Sequence, residues 1–97
     1  MKSISIAVLL AASVCVAPAM AAEDASALAK SAGCLNCHAV DATKKVGPGF
    51  KTVAASYKGK ADAESALVTK LTEGKGHMKV TASKDDVTKI VKWVLAQ

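Results

Sequence analysis

The sequence predicts a small all-α fold of about four helices. Three observations carry that reading. Apolar residues recur at helical spacing: Val87, Ile90, Val91, Val94 and Leu95 stand at i, i+3, i+4, i+7 and i+8, and Phe50, Val53, Ala54 and Tyr57 at i, i+3, i+4 and i+7. No stretch reads as a strand. The chain is also short, 97 residues, and its only aromatic residues are Phe50, Tyr57 and Trp93. So lean a chain buries too little apolar surface to be comfortably stable alone, and it needs a core from elsewhere.

A source for that core stands at Cys34-Leu35-Asn36-Cys37-His38. C-x-x-C-H is the attachment signature of c-type haem. Two thiols add across the two vinyl groups of one porphyrin, and two intervening residues let both sulfurs reach it. The adjacent histidine then lies under the iron as its proximal ligand. Rival readings of the spacing are weaker. A thioredoxin-like redox pair needs a βαβ setting. A structural zinc site needs a second pair of ligands, and His77 is the only other histidine. The expectation is one covalent haem c held by Cys34 and Cys37, with His38 on the iron.

The N-terminus reads as an export signal. Met1-Lys2-Ser3 is basic, and Ile4 to Val16 is apolar but too short to span a membrane. Pro18-Ala19-Met20-Ala21 ends in Ala-x-Ala, so cleavage is expected after Ala21, with Ala22 as the next-best site. Cys15 follows Val14, where lipidation wants a small residue, and is expected to leave with the signal. Residues 1–21 are thus a cleaved signal peptide and 22–97 one domain. The expected location is the periplasm, with no membrane span after processing. Three cysteines reduce to one haem-binding pair.

The formal charge is +5, and loss of Lys2 leaves +4, carried by lysine alone. Lysines without aromatic interleaving are poor evidence for nucleic-acid binding. They suit a solvated surface, or docking to an acidic redox partner.

The elements follow in order. Ala25 to Ala32 is an alanine-rich helix with Glu23 and Asp24 at its positive end. Gly33 stops it and brings backbone close to the porphyrin. After the haem motif, Ala39 to Lys45 is a loop, and Val46-Gly47-Pro48-Gly49-Phe50 a turn. A ligating histidine donates its other ring N–H to a carbonyl, and the Pro48 carbonyl is the candidate acceptor for His38. The Phe50–Tyr57 face forms a short helix broken by Lys58-Gly59-Lys60. Asp62 is the expected N-cap of the next helix, with Ala63, Leu67 and Leu71 along one stripe and Gly74 at its C-terminal end. Residues 75–82 form a loop. Ser83 caps the last helix, and Asp86 is placed to answer back as in a capping box.

An iron that only carries electrons takes a second axial ligand from a loop well downstream. The 75–82 loop holds Gly76-His77-Met78-Lys79, which contains the only methionine of residues 22–97 and the only histidine besides His38. Thioether sulfur raises the potential and a second imidazole lowers it. Ligand chemistry favours Met78.

The chain resembles the short bacterial class I cytochromes c, of the class ID, cytochrome c-551-like kind, over nearly all of residues 22–97. The likeness rests on Gly33-Cys34-x-x-Cys37-His38-Ala39, Val46-Gly47-Pro48, Val53-Ala54-Ala55 through Tyr57 and Gly59, and Ser83-x-Asp85-Asp86 leading to Lys92-Trp93-Val94-Leu95. It implies a small cytochrome c fold, about four helices around one covalently bound haem, and electron-carrier activity. It also implies the proline carbonyl role for Pro48 and a crossing of the terminal helices around Leu28 and Trp93. Three departures stand out. The first helix has Ala29 where the family has an aromatic, which implies a looser crossing. The distal loop is shorter and lacks the family's Met-Pro-Pro-Asn. Counted without a gap from Ser83 and Trp93, His77 rather than Met78 falls on the family's methionine position. Ligand type and register therefore point to different neighbours, nearly evenly, with Met78 slightly preferred.

The expected function is a periplasmic monohaem carrier moving one electron at a time through a haem edge near Cys34 and Cys37. It is expected to be a monomer serving periplasmic or membrane-bound redox proteins. Lys44, Lys45, Lys51 and Lys79 would steer acidic partners, an effect that salt screens. No nucleophile–base pair argues for an enzyme. The alternatives are a haem-based gas or redox sensor, which needs a displaceable sixth ligand, and a haem subunit of a larger periplasmic oxidoreductase.

Overall fold

The computed structural model describes residues 20–97, with side chains from residue 25 onward. The expected signal segment and Cys15 lie outside the described residues, apart from Met20 and Ala21. The chain forms α1 (Met20–Ser31), α2 (Phe50–Tyr57), α3 (Ala63–Glu73) and α4 (Lys84–Leu95), with a 3₁₀ turn at Cys34–Asn36. No strand occurs among the described residues. The all-α expectation is met.

Helix α1 already includes Met20-Ala21-Ala22 and Glu23, good helix formers that precede the expected start at Ala25. It stops where expected. Gly33 takes φ 81°, a left-handed conformation open to glycine. Its N–H bonds the Lys30 carbonyl at 3.1 Å.

Helix α3 corrects one expectation. Asp62 occupies the N-cap position, but its side chain makes no capping bond. Its ψ is 7° rather than extended, which takes the carboxylate out of reach of the first-turn amides. Its backbone carbonyl works instead, accepting from the Ala66 N–H at 2.9 Å and the Ser65 hydroxyl at 3.2 Å. At the other end Gly74 is left-handed at φ 71°, and its N–H bonds the Lys70 carbonyl at 3.0 Å.

Helix α4 starts at Ser83, whose Oγ accepts from the Asp86 N–H at 3.2 Å. No return bond from the Asp86 carboxylate forms among the described residues, since Asp is one methylene shorter than the usual Glu. Ser83→Ala is expected to cost about 1 kcal/mol. Denaturant unfolding of the haem-loaded protein checks this, and an unchanged midpoint would count against the cap.

Helix α4 packs against α1, α2 and α3. One buried cluster joins Ala29, Phe50, Ile90 and Val94; a second joins Leu67, Val68, Val87 and Val91. Ala29 is 0 % exposed, with Trp93 packed against the same cluster. The alanine is thus fully enclosed, in the same cluster that Trp93 packs against. Among the described residues Val87 is the largest side chain that is fully buried. The protein's own core is thin, as the composition implies.

Candidate functional site

The haem motif leaves α1 through Gly33 and tightens at once. The His38 N–H bonds the Cys34 carbonyl at 3.0 Å, and the Cys37 N–H the same carbonyl at 3.2 Å. This turn holds Cys34, Cys37 and His38 in one short stretch. Cys34 and Cys37 form no disulfide with each other, and both are half-buried. Partial burial pushes the Cys34 thiol above its ordinary pKa, against a smaller lowering by a backbone hydrogen bond.

The following loop folds back over the motif. The Gly47 N–H bonds the Cys37 carbonyl at 2.8 Å, the Phe50 N–H bonds Ala39 at 2.8 Å, and the Lys45 ammonium bonds Leu35 at 3.1 Å. Lys45 is therefore tied into the loop, unlike a free docking lysine. Asp41 braces the loop's far side, its Oδ1 accepting from the Thr43 N–H at 2.8 Å. Hydrogen bonds from Thr43, more than the nearby Lys51 charge, hold its carboxyl below the ordinary carboxylate range.

This clamp delivers the Pro48 carbonyl to the His38 ring, at 2.7 Å from Nδ1. A carbonyl only accepts, so Nδ1 carries the proton and Nε2 keeps its lone pair. Two residues beyond the sequence reading secure the ring. A Cβ on Gly47 would collide with Cε1 of His38 and lie 2.7 Å from Nδ1 and 2.8 Å from Nε2. Phe50 lies with its centroid 5.2 Å from the imidazole at 22° between planes, and meets Trp93 edge-on at 5.6 Å and 80°. Gly47 was legible only as a turn residue, because its contact is across the loop. Phe50 was legible as a core residue on the α2 face.

Cys34, Cys37, His38 and Pro48 border a cavity of about 590 Å³. Its apolar lining includes Phe50, Val53, Leu67 and Val91. The volume falls in the range of cofactor sites, roughly 300–1,000 Å³. His77 and Met78 also border the cavity. Met78 is 73 % exposed, whereas His77 is half-buried with its ring centroid 6.0 Å from that of His38.

The residues fit a haem. Among the described residues no three His, Cys, Asp or Glu side chains converge on a metal position. The chain thus offers axial donors and two thiols around an apolar slot, the set that a porphyrin-bound iron requires.

The family model described as Cytochrome c matches residues 22–97. Cytochrome c-551 of Pseudomonas aeruginosa is 38% identical over 104 aligned positions, covering 100% of this chain and 99% of that protein. Cytochrome c2 of Rhodocyclus tenuis is 38% identical over 85 positions, covering 75% of this chain and 91% of the relative. Among solved structures, the class 1 cytochrome MtoD of Sideroxydans lithotrophicus ES-1 superposes with a TM-score of 0.65 at 34% identity, over 76% of this chain and 92% of that one. Wild-type cytochrome c552 of Nitrosomonas europaea gives 0.61 at 33% identity, over 72% and 95%.

Proposed function

The chain belongs to the cytochrome c family, as a class I monohaem member carrying one covalent haem c, and on that premise we propose that it is a periplasmic one-electron shuttle between other redox proteins. Bound haem c supplies the one-electron iron chemistry. The residues of the chain hold and tune it. Cys34 and Cys37 would anchor it through thioethers. His38 Nε2 would ligate the iron, and the Pro48 carbonyl fixes the ring and makes its nitrogen a better donor. The α2, α3 and α4 side chains keep water from that side of the site.

The observation that carries this reading is the His38–Pro48 bond of 2.7 Å beside Cys34 and Cys37 at the border of one apolar cavity. Exposed Lys44, Lys51 and Lys79 remain available for acidic partners. Among the described residues no helix is long and apolar enough to cross a membrane.

A pyridine haemochrome spectrum is expected to show one thioether-linked haem per chain, and voltammetry one reversible one-electron wave. Carbon monoxide is expected to bind the reduced protein slowly or not at all. Rapid binding would instead favour a sensor, and a native mass well above that of the chain would favour a subunit of a larger assembly.

A further inference from the structure

The geometry points to His77, not Met78, as the second axial ligand, making this a bis-histidine centre. The inference rests on the haem reading above and concerns the other side of the same site.

Three observations carry it. First, the His38 and His77 rings face the same cavity with centroids 6.0 Å apart and planes only 10° apart. An imidazole nitrogen lies about 2 Å from a metal it ligates, and the ring adds roughly 1 Å on each side, so two imidazoles sharing one metal have centroids roughly 6 Å apart. Second, the two rings are prepared alike. His77 Nδ1 lies 2.7 Å from the Met78 carbonyl, as His38 Nδ1 lies 2.7 Å from the Pro48 carbonyl. Each ring therefore donates its Nδ1 proton to backbone and keeps the Nε2 lone pair free. Third, Met78 is 73 % exposed. Its contribution to the site is its backbone oxygen, which orients the neighbouring imidazole.

The loop fixes this arrangement. Gly74 and Gly76 both take positive φ, 71° and 69°, and the Val80 N–H bonds the Leu71 carbonyl at 2.9 Å. Between these anchors only a few residues span the distal side, so moving Met78 inward would require moving His77 out.

The test uses the haem-loaded protein, with thioether haem verified first by its haemochrome. The ferric wild type is expected to lack the sulfur-to-iron charge-transfer band in the red and to give a low-spin, bis-imidazole EPR signal. Met78→Ala is expected to leave both spectra unchanged. His77→Ala is expected to abolish the bis-imidazole signal, giving either a high-spin ferric iron or a newly formed sulfur band. The midpoint potential of the wild type is expected to lie below that of a methionine-ligated relative measured alongside. A red band in the wild type that disappears in Met78→Ala overturns the assignment, as does a His77→Ala variant with an unaltered spectrum. Either result leaves the haem-carrier reading intact, whereas a missing thioether haem would overturn both.

Discussion

Replacing Cys34 and Cys37 together by alanine is expected to leave the chain largely unfolded. The two buried clusters contain four residues each, and their fully buried members reach no larger than Val87. The space beside them is about 590 Å³. Its lining includes apolar residues of both clusters, such as Phe50, Leu67 and Val91, which the haem would cover, and the whole stability of a small domain is only about 5–15 kcal/mol. Covalent attachment keeps the filling group from dissociating, whereas a haem held without it is lost on dilution. Far-UV circular dichroism of the double variant is the measurement. A native helical spectrum in the absence of haem would refute the claim that the prosthetic group completes the core.

Gly47→Ala carries the second-largest expected effect. Its Cβ would enter the space of the His38 imidazole, with Nδ1 and Nε2 at 2.7 and 2.8 Å. A ring at the free end of a side chain could swing away, but this one is held by Pro48 at 2.7 Å and by Phe50 at 5.2 Å. Any displacement lengthens the hydrogen bond that fixes the tautomer. Overpacking of this kind costs typically about 1–3 kcal/mol. The expected result is a lowered unfolding midpoint together with a perturbed ferric EPR spectrum. A stability loss with an unchanged spectrum would show that the ring is not what Gly47 accommodates.

The helices were legible because their faces repeat along the chain. Val87, Ile90, Val91 and Val94 lie at helical spacing and are all buried. Gly33, Gly74 and Ser83 also punctuate the chain as their chemistry dictates. The Pro48 carbonyl was legible because a ligating histidine needs an acceptor and the turn supplied one. Contacts without a periodic signature were not legible. Gly47 meets a ring nine residues earlier, and nothing local marks that approach. Asp62 has the right residue type for a cap, but only the backbone angle decides whether the side chain is used. Ala29 is completely buried although it is small, and composition alone does not show which small residues the fold encloses. His77 and Met78 adjoin in sequence, so type and register conflicted. The proposal for His77 turns on ring orientation and exposure, which no local sequence pattern encodes.

Helix α4 supplies two residues to each buried cluster: Ile90 and Val94 to one, Val87 and Val91 to the other. The molecule therefore has no half that can stand alone. Detaching α4 opens both clusters together, so partial opening and complete unfolding converge on one event.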